Sequence, residues 1–489
     1  MVSLSNHEAD RTTVRAKPSW FDRLTMKATT IPRTACALSL AIVVSACTTV
    51  PSYQPPSVQA PAGWDAAGAS AAVWPDADWW KGFGSDELNA LMAEASANNH
   101  DLQAAIIRID EAAARAKIAG APRWPTLGGG FEPSREQKAT SKDLFAGLQA
   151  SYEVDLFGKY SAAATAAKAR VEASVYDRQA LAITLEGDVA ATFFQILSLR
   201  DRQRSLQDSI ATAQRMLQII QTRDHAGSAS DVELAQQSSI AARQQAALPD
   251  LQLAEHQATA ALAVLLGRNP EGFSVTTRSL QQLRVPAVVA GLPSELLLRR
   301  PDLRRSEAGL RATHADWEAS HAARFPSIVL TAAGGLASNA LGALFNPSSA
   351  MISFVGSLTA PIFSGGRLSG QEKLDSARYR EQVQLYDGAV IAAFRDVENA
   401  LYANTLNQRA IALDREAYTQ ARRALTLLDV RYNTGAIDFL AVLDAQRNAV
   451  ETADTLTQAE LARFVAAINL YKALGGGWSD ADARPAKTA

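Results

Sequence analysis

An internal repeat constrains the fold of this chain of 489 residues more than any other feature. Three landmarks occur twice, in the same order and at nearly constant separation. They pair residues 123–127 with 324–328, residues 156–159 with 362–367, and residues 227–234 with 435–442. Because each copy of a repeat is one structural unit, the sequence predicts two copies of the same supersecondary arrangement. We place them at 85–290 and 291–478, with a C-terminal tail at 479–489.

The N-terminus has the pattern of an export signal. Lys27 lies upstream of an apolar run at 35–44 that is too short to cross a bilayer as a helix. The run leads into Val-Ser-Ala-Cys, which resembles a bacterial lipobox, in which the cysteine becomes the lipidated first residue. The sequence therefore predicts a signal peptide at 1–46, with initiation possible at Met26, and lipid attachment at Cys47. The alternative is that Cys47 is a small residue that ends an ordinary signal.

The residues after Cys47 are predicted to form a tether. Thr48 follows the cysteine, whereas an Asp there would suggest retention at the inner membrane, so the lipobox points to the outer membrane. Residues 47–84 are assigned to this lipidated tether, and the part at 51–75 is rich in Pro, Ala, Ser and Gly, which favours an extended chain.

Four segments have the period of β-strands. Residues 144–156 alternate between apolar and polar side chains over about the length that a tilted membrane strand needs. Residues 352–362 alternate in the same way, and shorter Gly-rich partners are predicted at 126–132 and 327–336. A half-buried sheet of a soluble protein shows the same alternation. The export signal, and the lack of another place for these strands to pack, favour a membrane.

Long helices make up the rest of both copies. Apolar side chains at alternating spacings of three and four follow part of the first long helix, a pattern typical of coiled coils. They are Ile196, Leu199, Leu206, Ile210, Ala213, Leu217 and Ile220, with Gln203 as the polar interruption. Each long helix is predicted to end at a glycine turn, Gly227 or Gly435, from which a second helix returns.

Two further predictions concern other helices. A helix is expected over 85–118, where apolar residues recur at helical spacing. Pro249 is expected to kink or break the first returning helix, because proline lacks an amide N–H and its ring displaces the carbonyl of Gln245.

One chain of this kind cannot close its own sheet. Four strands are too few for a bacterial outer-membrane barrel, which begins at about eight strands. An open sheet edge in lipid leaves backbone groups without hydrogen bonds, at several kcal/mol each. Three chains related by cyclic symmetry would supply twelve strands. The predicted fold is therefore mainly α with a membrane β-barrel, closed as a homotrimer.

Several short segments, in this order and spacing, make the chain similar to the TolC-like outer-membrane efflux proteins, OprM/NodT branch. The most specific is the segment at 291–303, GLPSELLLRRPDL. It is accompanied by segments at 79–83, 99–102, 152–158, 265–267, 361–366 and 471–478. The resemblance implies a homotrimer with a twelve-stranded outer-membrane barrel, a periplasmic α-helical tunnel, and a tip that docks on an adaptor protein.

The resemblance also implies which residues hold the periplasmic entrance closed. Asp444 matches a position that forms an acidic ring, and its alternative interpretation is an ordinary exposed residue near a helix N-terminus. Glu233 and Tyr432 match residues that tie the closed tip, although Ile437 replaces the arginine partner. For Glu233 and Tyr432 the alternative is a solvated helix face.

Charge and motifs exclude other classes of function. With 48 basic and 50 acidic residues, the net charge of −2 gives no basis for nucleic-acid binding. No catalytic constellation or phosphate-binding loop is present, so we predict neither an enzyme nor a cofactor nor a metal. His314 and His321 are predicted to lie on an exposed helix face. The arginines at 299, 300, 304 and 305 are predicted to form a solvated or intersubunit face.

The resemblance thus implies a passive outer-membrane exit duct for drugs or other small toxic compounds, anchored by lipid. Its expected partners are a periplasmic adaptor and an inner-membrane RND pump. One alternative is the outer-membrane channel of a type I (ABC) secretion system. Another is a structural periplasmic coiled-coil lipoprotein, against which the two hairpins and the lack of lipoyl-like segments argue.

Overall fold

The structure, a computed structural model, describes residues 50–57, 59–61, 63–65, 76–135, 142–287 and 293–478. The predicted signal peptide, Met26, the lipidation site Cys47 and the tail at 479–489 lie outside these residues. The chain from Ser52 onward belongs to one compact unit, which is described below.

Strand pairs alternate with long helices along the chain. The helices are α1 (Asp86–Asn98), α2 (His100–Gly120), α3 (Lys159–His225), α4 (Asp231–Leu265), α5 (Pro293–Arg299), α6 (Pro301–Ala322), α7 (Arg367–Asn433) and α8 (Phe439–Ala473). The strands are β1 (Thr126–Arg135), β2 (Lys142–Val154), β3 (Ser327–Ser338) and β4 (Ala350–Thr359). The two long helices α3 and α7 have 67 residues each, and the returning helices α4 and α8 have 35 each.

The four strands form one antiparallel sheet in the order β1-β2-β3-β4. All four predicted strands are present, with β2 and β4 starting two residues earlier than predicted and β1 and β3 extending further. The central pair β2 and β3 joins the two halves of the chain. Gly147 faces Gly335 there, and a Cβ on either residue would meet the opposite backbone within 3 Å. The glycines in these strands therefore permit close approach.

The helix predicted over 85–118 is wrong as a single element, because Asn99 divides it into α1 and α2. The Asn99 side chain accepts a hydrogen bond from the Leu102 amide (3.0 Å) and donates one to the Leu265 carbonyl (3.0 Å). It therefore caps the second helix and fastens the break to the end of α4.

Of the kink or break expected at Pro249, the break does not occur, since α4 continues through that residue. Helix α4 packs on α3, and Gln203 donates hydrogen bonds to the Leu251 carbonyl (3.2 Å) and to Glu255 (2.8 Å). The polar interruption in the predicted seam is thus a contact that holds α4 just beyond its proline.

An aromatic core joins the N-terminal segment to the long helices. Phe83 lies 4.9 Å from Phe194 of α3, which in turn lies 4.7 Å from Phe464 of α8, between ring centroids. Trp79 stacks on Tyr471 at 4.8 Å. The packed part of the chain therefore includes Trp79 and Phe83, which the sequence assigned to the tether.

Among the four arginines predicted on a solvated or intersubunit face, Arg300 is instead packed within the chain, and the exposed face predicted for the two histidines is wrong. The Arg300 side chain is only 12% exposed, because its guanidinium pairs with Asp302 (2.7 Å) and Asp396 (3.5 Å). His314 is buried in a ring cluster with Tyr53 and Tyr379, and His321 Nδ1 lies 2.7 Å from Glu372. These charges and rings are structural, since they connect α6 to α7 and α8.

Candidate functional site at the hairpin tips

The first hairpin turn follows α3. Gly227 has φ 74°, in the left-handed region that glycine adopts at lowest cost. The Gly227 amide donates to the Asp224 carbonyl (2.8 Å) and the Ser228 amide donates to the Arg223 carbonyl (2.8 Å). These bonds satisfy carbonyls at the helix end and reverse the chain.

The second turn, after α7, has the same backbone. Gly435 has φ 73°, its amide donates to the Tyr432 carbonyl (2.9 Å), and the Ala436 amide donates to the Arg431 carbonyl (2.9 Å). No heavy atom lies within 4 Å of a Cβ built on Gly227 or Gly435. Backbone conformation, and not space, therefore requires glycine at both predicted turn positions.

One apolar cluster joins the two hairpins at their tips, and we call it the tip cluster. Its buried members are Ala213, Met216, Ile220, Ile240, Ala241, Tyr432, Phe439, Val442 and Leu443. They come from α3 and α4 of the first hairpin and from α7 and α8 of the second. Ile437, which replaces the arginine expected from the resemblance, packs against this cluster. An apolar contact thus occupies the position where the resemblance places an arginine in some relatives.

Tyr432 lies inside the tip cluster, so the solvated-face alternative does not apply to it. It is 3% exposed and its ring lies 5.3 Å from that of Phe439. The Arg223 guanidinium, from the first hairpin, lies 4.8 Å from the ring centroid. Burial raises the pKa of Tyr432 and the charge of Glu233 acts in the same direction, whereas Arg223 opposes it. No hydrogen-bond partner lies within 3.5 Å of the Tyr432 hydroxyl among the described residues, and Glu233 is close enough for a longer side-chain contact that also raises the pKa of Tyr432.

Glu233 is engaged in a local structure. The Ser230 hydroxyl accepts from the Glu233 amide (3.3 Å), and the Glu233 carboxylate accepts from the Ser230 amide (3.3 Å). This reciprocal pair is a capping box, which satisfies two amides at the start of α4. The Glu233 carboxylate is thus held by its own helix, and it also lies close enough to Tyr432 to raise the pKa of that hydroxyl.

Asp444 is on the solvent-exposed side of α8. Its side chain is 68% exposed, and it pairs with Arg447 Nη1 on the next turn at 3.9 Å. An exposed pair of this kind contributes at most about 1 kcal/mol. Within one chain Asp444 is therefore a surface residue, and only other copies could place it in a ring.

Arg223 and Asp429 are tip residues that the sequence interpretation missed. Arg223 contacts Tyr432 across more than 200 positions of the chain, and nothing in its local sequence distinguishes it from other helix arginines. Asp429 has a buried Oδ1 without a hydrogen-bond partner among the described residues. Burial raises the pKa of Asp429, and Arg215 partly offsets the effect. The contact of Arg223 with Tyr432 and the burial of Asp429 near Arg215 each bring together residues of α3 and α7, so both depend on packing between the two hairpins.

The comparisons with known proteins agree with this architecture. The model of the outer membrane efflux protein family matches residues 91–268 and 292–476. OpmQ of Pseudomonas aeruginosa, a pyoverdine export outer membrane protein, is 38% identical over 458 residues, covering 90% of this chain and 96% of that protein. CusC of Escherichia coli, a cation efflux system protein, is 32% identical over 455 residues, covering 90% and 98%.

A solved structure has the same fold along most of its length. The open state of the Neisseria gonorrhoeae MtrE outer membrane channel superimposes with a TM-score of 0.80 at 30% identity. The match covers 88% of this chain and 98% of that one. The family match and these relatives show that the chain belongs to the outer membrane efflux protein family.

Proposed function

We propose that this outer-membrane protein is the passive exit duct of a tripartite RND-type efflux system. The observation that carries the proposal is the sheet, which has one apolar face, one polar face and two unpaired edges. The register places seven of the eight exposed large apolar side chains of the four strands on a single face, and Val355 is the exception on the other face. They are Leu127, Phe131, Leu148, Leu330, Ile352, Phe354 and Leu358, of which Phe354 is 81% exposed.

The opposite face carries polar side chains, including Gln149, Ser151, Thr331 and Ser353. A membrane barrel has this division, with apolar residues toward lipid and polar residues toward the lumen. The strands have 10 to 13 residues, which suits a tilted crossing of the bilayer.

Closure requires other copies of the chain. Within the described residues, β1 and β4 pair on one side only. Their free edges are costly in lipid, and joining β4 of one copy to β1 of the next removes every edge. Three copies supply twelve strands, and the homotrimer is our proposal on this ground. The equal lengths of α3 and α7, and of α4 and α8, support the internal duplication that we infer at 85–290 and 291–478.

The helices would continue the barrel as a tunnel. At about 1.5 Å per residue, each long helix extends on the order of 100 Å, far more than a globular domain needs. We propose that the tunnel lies in the periplasm and that its tip meets an adaptor protein. Cys47 would carry the lipid anchor in the outer membrane.

The hairpin tips would form the periplasmic gate. In a trimer, three copies of Asp444 would surround the entrance, where like carboxylates repel one another and favour cations. Tyr432 and Glu233 would act from behind this ring, by holding the second hairpin on the first. Arg223 adds a cation to that contact.

Energy for transport would come from the pump. We propose that the pump, and not this chain, also selects the compound that is exported. One relative is named for pyoverdine export and another for cation efflux, although each aligns with nine tenths of this chain. A duct that conducts what its pump delivers explains why similar chains serve such different cargoes.

Reconstitution tests the proposal. The full-length protein, purified and inserted into planar bilayers, should be trimeric and conduct ions. Phe354→Arg should prevent insertion, because a cation on the lipid face costs about 2–4 kcal/mol at mid-bilayer. The adjacent Ser353→Arg, on the polar face, should insert and change only ion selectivity. A monomer without conductance, or equal tolerance of both variants, contradicts the proposal.

A further inference from the structure

A cavity of about 690 Å³ lies between the segment 280–285 and the second hairpin. One face of α7 and one face of α8 form two of its walls, because the lining residues recur at helical spacing along both helices. They include Ile411, Arg415 and Tyr418 on α7, and Leu456, Glu460 and Arg463 on α8. The cavity volume is in the range that holds a small organic ligand.

The remaining wall is held in place by the core. The Leu280 amide donates to Asp201 Oδ2 (3.0 Å), and the Leu280 side chain is buried. The Arg284 amide donates to the Phe83 carbonyl (3.2 Å). The segment that closes the cavity is therefore fixed at two points, so the cavity is built into the fold.

Its charge distinguishes this cavity from two others of similar size. One is lined by Arg300 and Lys472 with Asp302 and Asp396, and another by three arginines with three carboxylates, so each is balanced. The cavity beside 280–285 has three arginines, Arg284, Arg415 and Arg463, and a single carboxylate, Glu460. It therefore carries an excess of two positive charges.

Arg463 has no counter-ion in the described part of the chain. Its Nε is buried and has no hydrogen-bond partner there. Glu460, one turn earlier on α8, is instead engaged by Arg415, at 3.1 Å. A buried Nε–H without an acceptor is costly, because that donor has lost water without gaining a partner. The site is incomplete in a way that an anion would correct.

The other lining residues indicate what the rest of the ligand should be like chemically. The Arg284 Nε donates to the Gly82 carbonyl (3.1 Å), which holds its guanidinium at the cavity edge. Leu283, Val285 and Ile411 supply apolar surface in the same cavity. We propose that this cavity binds a small amphipathic anion, whose carboxylate or phosphate group pairs with Arg463 and whose apolar body packs on those side chains.

Isothermal titration of the full-length protein in uncharged detergent tests the proposal with three probes. They are naphthalene-2-carboxylate, the uncharged naphthalene-2-carboxamide, and inorganic phosphate. The carboxylate should bind at least about tenfold more tightly than the carboxamide, a difference of about 1.4 kcal/mol. Raising the salt concentration should shrink that difference, because salt screens the charge contribution. Phosphate, without an apolar body, should bind more weakly than the carboxylate.

Substitutions locate the site. Arg463→Gln should weaken carboxylate binding about tenfold and leave carboxamide binding unchanged. Arg409→Gln is the matched control, since Arg409 is an exposed arginine of α7 outside the cavity, and it should change neither. If Arg463→Gln fails to fold, the difference in affinity between the carboxylate and the carboxamide on the unmodified protein still tests whether the cavity recognises an anion.

Three results would overturn the proposal. Equal affinity for the carboxylate and the carboxamide would exclude recognition of charge, and phosphate binding as tight as the carboxylate would exclude the apolar part. A third is that Arg463→Gln dissociates the oligomer while probe binding is unaffected. Arg463 would then meet a carboxylate of a second copy.

Discussion

The two hairpin tips have the same turn and differ in how the returning helix begins. In the first tip, the capping box of Ser230 and Glu233 satisfies the start of α4 locally. In the second, Asp438 makes no side-chain capping bond and residue 441 is alanine. The start of α8 is instead held by burial of Phe439, Val442 and Leu443 in the tip cluster.

This difference separates a helix start that is stable by itself from one that depends on a neighbour. Local capping survives when two hairpins move apart, whereas apolar burial is lost. The second tip, which also carries Asp444 and Tyr432, is therefore the part whose position depends on contact between the hairpins. We infer that it is the moving part of the proposed gate.

Tyr432→Ala should produce the largest difference in stability between the two tips. Removing a buried ring from the tip cluster costs about 3–5 kcal/mol and abolishes the Arg223 contact. The second tip should then detach, which would be seen as increased resting conductance in bilayers and faster hydrogen exchange around 425–440. The first tip should keep its slow exchange at 231–235.

Tyr432→Phe is the control, because no hydrogen-bond partner lies within 3.5 Å of the hydroxyl among the described residues. Loss of an unsatisfied buried hydroxyl is close to neutral. If Tyr432→Phe opened the tip as much as Tyr432→Ala does, the hydroxyl would be a tie and the apolar explanation would fail.

Asp444→Ala should raise resting conductance several-fold and lower the preference for cations. The side chain is smaller and its hydrated charge is gone from the proposed constriction. Asp231→Ala, an exposed carboxylate at the start of α4 in the first tip, should leave both properties unchanged. Identical single-channel behaviour of the two variants would argue against an acidic ring at Asp444.

Ser230→Ala should destabilise the start of α4 by about 1 kcal/mol, the usual cost of a lost N-cap. Asp438→Ala should cost less at the start of α8, since no side-chain bond is lost there. Hydrogen exchange of the first turn of each helix measures both. An equal response would remove the distinction between the tips.

The smallest effect should be a pH dependence of the second tip. Burial raises the pKa of Asp429, so the folded state favours its protonated form. The associated stability is full at acidic pH and is lost as the pH rises through the raised pKa. Between acidic and neutral pH, exchange at the end of α7, corrected for intrinsic rates, should therefore rise more in the native protein than in Asp429→Asn. Parallel curves for the two proteins would show that Asp429 is not the responsible group.

Local patterns predicted most of the elements, because their causes are local. Alternation along the strands and the glycines at 227 and 435 reflect backbone geometry that neighbouring residues impose. Two local signals were overlooked. Asn99 is a helix cap that divides α1 from α2, and Ser230 with Glu233 has the spacing of a capping box.

Other features could not be predicted from local sequence. Pro249 lies in a continuous helix that contacts α3 just beyond it, and Arg300 and His314 are buried by partners far along the chain. Burial and pairing of such residues depend on which elements pack together, and no short-range pattern specifies that.

The sequence by itself determined the order of the elements, the two hairpin turns, the apolar face of the sheet and the family. These follow from residue periodicity, backbone preference and short motifs. Only the tertiary structure decided that Arg223 lies over Tyr432, that Ile437 packs on the tip cluster, and that the Arg463 Nε has no described partner. The physical reason is that each depends on the packing of helices whose residues lie far apart in the chain.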